Sequence, residues 1–234
     1  MTGVVPGMLI AAALLPPLVQ NPPEGPLLGP GWRVATLPRQ SKPVTRFLPE
    51  RVDEQLAVRI EAQASYGNLL HELPATGLQP QRLKWSWRMQ TPNPGTHLDK
   101  RAGDDMAARV CISFEVPLEA LHLDDRMLLQ IGRAISGQHL PAATLCWVWG
   151  HAEAHGTDLP SPYTNRVRYI VLRNATDAPG RWFDESRDIA ADFQSAFGSE
   201  IPGLPPLIAV LVGGDADNTG AHSIAHLAGL HFEP

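Results

Sequence analysis

No apolar run in this chain is long enough to span a bilayer, which takes about 20 residues of apolar helix. Lys and Arg nowhere cluster with aromatics, and the formal net charge is -5 with a sequence pI near 6.0. Nucleic acid is therefore excluded as the expected partner. Cysteine is scarce: Cys111 and Cys146 stand alone, in separate strand-like runs. They leave two readings open, one bridge in an oxidising compartment or two buried free thiols, and they cannot form a zinc knuckle. Also missing are a Gly-x-Ser-x-Gly elbow, a phosphate-cradling glycine loop, a dinucleotide fingerprint and a zinc-protease helix. There is no internal repeat.

What is present bounds the chain to one domain: 234 residues with 44% hydrophobic content can bury one sizeable core but leave little room for two. The 23 prolines and 20 glycines point to many turns, short of the roughly one-quarter share of disordered chains. The apolar stretch from Met8 to Leu15, followed by Pro16 and Pro17, suits a secretory h-region, although no Lys or Arg precedes it. The expectation is a signal-like or disordered segment over 1–30, a single β-sandwich domain over 31–234, and a periplasmic or secreted location, with a cytosolic tail as the alternative.

Hydrophobic period two dominates, as in Leu56-Ala-Val58-Arg-Ile60-Glu-Ala62, the signature of a half-buried antiparallel strand. Similar runs occupy 83–87, 109–116, 144–149, 167–173, 207–212 and 223–232, each bounded by turn residues. Seven or more short strands imply a sandwich or barrel, and the expectation is an all-β, antiparallel β-sandwich with one or two short helices. The helical exception is 188–197, where Ile189, Phe193 and Phe197 recur every four residues behind a capping Asp188. A shorter helix is expected over 117–121.

Four polar stretches carry the candidate chemistry. Asp104 and Asp105 follow Gly103, with Arg109 at the start of a strand; a guanidinium can clasp a carboxylate in two bonds and so fix a loop or orient a ligand hydroxyl. Adjacent residues in extended chain face opposite ways, so one aspartate at most serves a given site. Ser161 to Arg168 offers a hydroxyl, Tyr163, an amide and two guanidiniums, with Arg166 and Arg168 on one strand face at a groove mouth where an acidic ligand would bind. Trp149, before Gly150, is the tryptophan expected to reach a cleft; the other five belong to the scaffold. The fourth stretch, Asp215-Ala-Asp217-Asn218-Thr219-Gly220, opens like a calcium loop, but position twelve is His226 where a bidentate Glu is needed. That rejects an EF-hand and leaves a calcium site completed by distant oxygens; no other cofactor is implied. His151/His155 and His222/His226 lack a third ligand of diagnostic spacing.

In order and spacing, Lys100 to Val110, Leu145 to Gly150, Ser161 to Arg168, Gly180 to Trp182 and the Asp215 loop resemble the bacterial family catalogued as domain of unknown function 3047. The resemblance covers roughly Gly31 to Phe232. It implies an exported bacterial protein with a galactose-binding-like jelly roll, and it brings no activity. His222 and His226 depart from its pattern.

Three readings follow. The first is a non-catalytic envelope or exported module binding a glycan or other small polar ligand through Asp104, Asp105, Arg109, Trp149, Tyr163, Arg166, Arg168, Asp215, Asp217 and Asn218. The alternative is a hydrolase or lyase pairing Asp104 or Asp105 with Asp215 or Asp217, which requires the two loops to meet in one cleft. A purely structural role, with these residues fixing loops, is the third.

Overall fold

Along the strand Gln55–Gln63, Val58, Ile60 and Ala62 are buried while Arg59 and Glu61 are half-exposed, so the period-two pattern becomes a one-sided face. The computed structural model describes residues 15–19, 29–74, 81–136 and 140–233. Most of the expected h-region lies outside them. The strands are β1 (Trp32–Ala35), β2 (Arg46–Val52), β3 (Gln55–Gln63), β4 (Asn68–Glu72), β5 (Arg82–Thr91) and β6 (Ala108–Phe114). Then come β7 (Ala143–Trp149), β8 (Asp158–Ser161), β9 (Thr164–Arg173), β10 (Trp182–Asp188), β11 (Leu207–Gly213) and β12 (His222–Glu233). They form a seven-stranded sheet, β1-β4-β11-β6-β7-β9-β8, packed on a five-stranded sheet, β10-β5-β12-β3-β2. This is the expected all-β sandwich.

Among the described strand pairs, one departs from the antiparallel rule. β9 lies parallel to β7, with Cys146 opposite Tyr169. The cause is local: β8 and β9 form an antiparallel hairpin, and β9 is inserted between β7 and β8, so it runs the same way as β7.

The core between the sheets holds Ile60, Leu83, Trp85, Trp87, Ile112, Phe114, Leu145 and Trp147. Each such side chain contributes about 1.5–3 kcal/mol on leaving water. Trp85, Trp87, Trp147 and Trp149 meet in tilted and edge-on pairs at 5.4–5.5 Å centroid spacing. Trp149 also meets Phe183 edge-on. Trp149 is thus a core residue and does not reach a cleft: alternation along β7 aims it, like Trp147, between the sheets.

The helix α2 (Ile189–Phe197) forms as its spacing predicts, with the Asp188 carboxylate accepting the Ala191 amide at 2.9 Å. The shorter expected helix is a single 3-10 turn, Leu118–Ala120. The sequence reading missed α1 (Leu123–Ser136), although Leu123, Met127, Ile131 and Ile135 recur every fourth residue. Part of the expected N-terminal segment, residues 15–19, is described and packs on the sandwich. Leu15, Leu18 and Val19 join the core, and the Trp32 indole N–H donates to the Pro16 carbonyl at 3.0 Å.

Candidate functional site

β6 and β7 are buried on both faces, because the outer face of the seven-stranded sheet carries a second apolar layer. Cys111, Cys146, Val148, Tyr169 and Val171 form it, covered at one end by Leu98 and Met106. Cys111 and Cys146 sit directly opposite in the β6–β7 register and are disulfide-bonded, which decides between the two readings of the cysteines. Part of this layer lines a groove of about 1190 Å³. Its floor includes the disulfide, Leu211, Val167 and Ala209, with Ser113 and Thr144 hydroxyls joined at 3.0 Å. Asp104, Arg109, Ser161, Tyr163, Asp215, Asp217 and Asn218 gather on its polar wall.

Asp105 builds that wall without lining the groove. Fully buried, its carboxylate accepts the Asn218 backbone and side-chain amides, both at 3.1 Å, and the Thr219 amide at 2.6 Å. It clamps the loop between β11 and β12, whose last turn closes at Gly220 with φ of 70°, the left-handed conformation expected of that glycine. Asp104 turns the other way, as its neighbour relation requires. Its Oδ2 accepts the Tyr169 hydroxyl at 3.1 Å and the Ser161 hydroxyl at 3.3 Å. Burial pushes the Asp104 carboxyl up to about 6, against the pull of those hydrogen bonds and of Arg109.

Arg109 was expected to pair with Asp104 or Asp105; its partner is Asp215. Nη1 donates to Asp215 Oδ2 at 2.5 Å and Nε to Asn68 Oδ1 at 2.9 Å, and the guanidinium lies 5.2 Å from the Tyr66 ring centre. Burial also pushes Asp215 up to about 6, with Arg109 and the Met106 amide opposing the rise. Burial is the largest single influence and works against the Arg109 charge, but Asp215, Tyr66 and Tyr169 together outweigh it and hold the proton more firmly than usual. Three buried atoms on this wall have no hydrogen-bond partner: Asp104 Oδ1, Arg109 Nη2 and Asp217 Oδ1.

Tyr163 is half-exposed at the same end, its hydroxyl donating to Asn218 Oδ1 at 2.9 Å. Arg166 and Arg168 are elsewhere. Both clasp Glu200, Arg168 at 2.5 Å, and Arg166 also meets Asp125 at 3.1 Å. The reason is strand parity: Arg166 and Arg168 share the face of core residue Ile170, whereas Val167 and Tyr169 face the groove. The anticipated arginine-lined mouth for an acidic ligand is therefore a structural clasp at the sandwich end.

The sequence reading missed Tyr66 and Asn68 and left Tyr169 without a role. The only available signal was an asparagine within a short apolar strand. Asp105, Asp215 and Asp217 place ligand atoms within 4.8 Å of one another, the group that a distant-oxygen calcium site would use. Here the amides of the loop occupy Asp105, and Arg109 and Met106 occupy Asp215. His222 and His226 pair separately with Glu61 and Glu50 at 3.2 and 3.0 Å.

A family model for proteins of unknown function, DUF3047, matches residues 30–231. The chain belongs to that family. No curated protein matches the chain. Among solved structures, this DUF3047 chain is similar to a family 11 carbohydrate-binding module from Clostridium thermocellum in complex with a beta-1,3-1,4-mixed-linked tetrasaccharide. That match has 10% identity and a TM-score of 0.37, covering 94% of this chain and 96% of that one. It is also similar to the endoglucanase cel12A from Rhodothermus marinus, at 14% identity and a TM-score of 0.40, covering 86% of this chain and 95% of that one. A third similarity is to the enzymatically active domain of tailspike protein 4 from bacteriophage CBA120. There the identity is 6% and the TM-score 0.34, covering 87% of this chain and 19% of that one.

Proposed function

We propose that this DUF3047 protein is an exported, non-catalytic module that binds a carbohydrate in the groove of its seven-stranded sheet. The observation that carries the reading is the convergence in one groove of polar groups from three distant segments, at 104–109, 161–169 and 215–218, over an apolar floor. A sugar ring presents apolar C–H faces and a rim of hydroxyls that both donate and accept. An apolar floor beside carboxylate, guanidinium and amide groups matches that pattern. The unused capacity of Asp104 Oδ1 and Arg109 Nη2 supports it, since buried polar atoms left unpaired cost about 1–3 kcal/mol each. Export, periplasmic or secreted, is supported by the Cys111–Cys146 bond, because disulfides persist in oxidising compartments.

A glycan array followed by calorimetry tests the reading. Binding that Tyr163→Ala and Asn218→Ala weaken supports it. No bound glycan, or binding indifferent to both changes, overturns it.

One observation favours the hydrolase alternative: the two aspartate loops do meet in one groove, and Asp104 titrates near 6 there, where a general acid could work. Release of reducing ends from a bound oligosaccharide, abolished by Asp104→Asn, would establish hydrolysis in place of plain binding.

A further inference from the structure

The groove is acidic. Among the described residues lining it, five carboxylates (Glu72, Asp104, Glu115, Asp215 and Asp217) face two guanidiniums, Arg33 and Arg109. Both arginines are already committed, Arg33 to Glu72 at 2.7 Å and Arg109 to Asp215 at 2.5 Å. Asp104, Glu115 and Asp217 are left without a countercharge in direct contact. The nearby Lys42 ammonium donates to the Asp217 backbone carbonyl at 3.1 Å rather than to its carboxylate.

The unspent hydrogen-bond capacity has the same sign. Asp104 is only 7% exposed, and its Oδ1, like Asp217 Oδ1, is an acceptor without a donor. The matching donor on the wall is the single free nitrogen of Arg109, Nη2. A ligand that completes this wall must bring more donors than acceptors and must bring positive charge. An uncharged hydroxyl supplies one donor, whereas an ammonium supplies three donors and no acceptor. Uronate, sulfate and phosphate groups would add acceptors and like charge to a surface that already has both in excess.

We infer that the groove takes a saccharide bearing free amino groups, with an ammonium set against Asp104 and Asp217 and a neighbouring hydroxyl accepting from Arg109 Nη2. This rests on the glycan reading of the groove and narrows it to a chemical class.

The test compares three probes of equal length by calorimetry on the full chain at neutral pH: a glucosamine oligomer, its fully N-acetylated form and a uronic acid oligomer. The amine form is expected to bind at least about tenfold more tightly than the acetylated one, in line with charge-assisted bonds being roughly twice as strong as neutral ones. The uronate is expected not to bind. The preference should shrink in Asp217→Asn, a loop variant outside the core, and in Asp104→Asn, and it should weaken with added salt. If the acetylated oligomer binds as well as the amine, or the uronate binds best, the inference fails and the glycan reading stands. If amine binding is unchanged in both variants, the polycation is adsorbing elsewhere and the inference fails. If none of the three binds, the inference fails, and the glycan array decides the wider reading separately.

Discussion

Arg109 and Asp215 lie 106 residues apart in the chain and 2.5 Å apart in space, both buried at the polar end of the groove. Their pairing ties β6 to the loop after β11. The Asp105 clamp, four residues before Arg109, ties the same loop a second time through Asn218 and Thr219. Removing one partner leaves a buried, uncompensated charge. Arg109→Ala is expected to destabilise the fold by about 3–5 kcal/mol, read from chemical denaturation, while a well-packed apolar pair replacing both residues should recover most of that loss.

The Cys111–Cys146 bond joins two neighbouring strands and closes a loop with a sequence separation of 35. Cross-linking restricts the unfolded chain, so a Cys111→Ala/Cys146→Ala protein should lose about 2–4 kcal/mol. Unfolding curves with and without reductant check this. Reductant should move the wild-type curve toward that of the variant and leave the variant unmoved.

Arg166 separates scaffold from site. It is buried, bonded to Glu200 and Asp125, and absent from the groove lining. Arg166→Ala is expected to cost about 1–3 kcal/mol of stability, the scale of hydrogen bonds to charged groups, with no change in groove affinity. Asn218→Ala should weaken groove affinity. An affinity loss in Arg166→Ala would return the arginine to the binding machinery.

Asp104 makes stability depend on pH in a stated direction. Its folded pKa of about 6 lies above its ordinary value of 3.8. Between those values the folded chain holds a proton that the unfolded chain releases. Its contribution therefore increases stability as pH falls from about 6 to about 4 and is lost as pH rises through 6, by about 1–3 kcal/mol at most. The difference between wild type and Asp104→Asn across that window isolates it, since Asp215 shifts in the same direction in both proteins. Asp177 works oppositely: its lowered pKa gives stability that is present above pH 3.8 and lost as pH falls below it.

The strands that announced themselves were those with one wet face or a long apolar run: β3, β5, β6, β7, β9, β11 and β12. The strands that did not, β1, β2, β4, β8 and β10, include the edges of both sheets and have short or polar alternation. An edge strand is held by its neighbour's hydrogen bonds more than by its own burial, so its residues need not show the pattern. Helix α1 is a different case: its apolar residues recur at helical spacing, yet they do not mark a buried face. Leu123, Met127, Leu128, Ile131 and Ile135 are exposed, so this helix takes little part in the apolar packing from which the rest of the fold was read.

Residue types and spacing alone determined the fold class, the α2 helix with its Asp188 cap, the Gly220 turn and the short list of polar stretches. All of these follow from local sterics and from a hydrophobic period that is written into neighbouring residues. Only the tertiary structure decided which of those stretches meet. It gave Arg109 to Asp215 rather than Asp104, sent Arg166 and Arg168 to Glu200, buried Trp149 and closed the disulfide. Strand order, the choice of which face of β9 meets the core and the parallel β7–β9 pairing set these outcomes, and each depends on contacts between segments far apart in the chain.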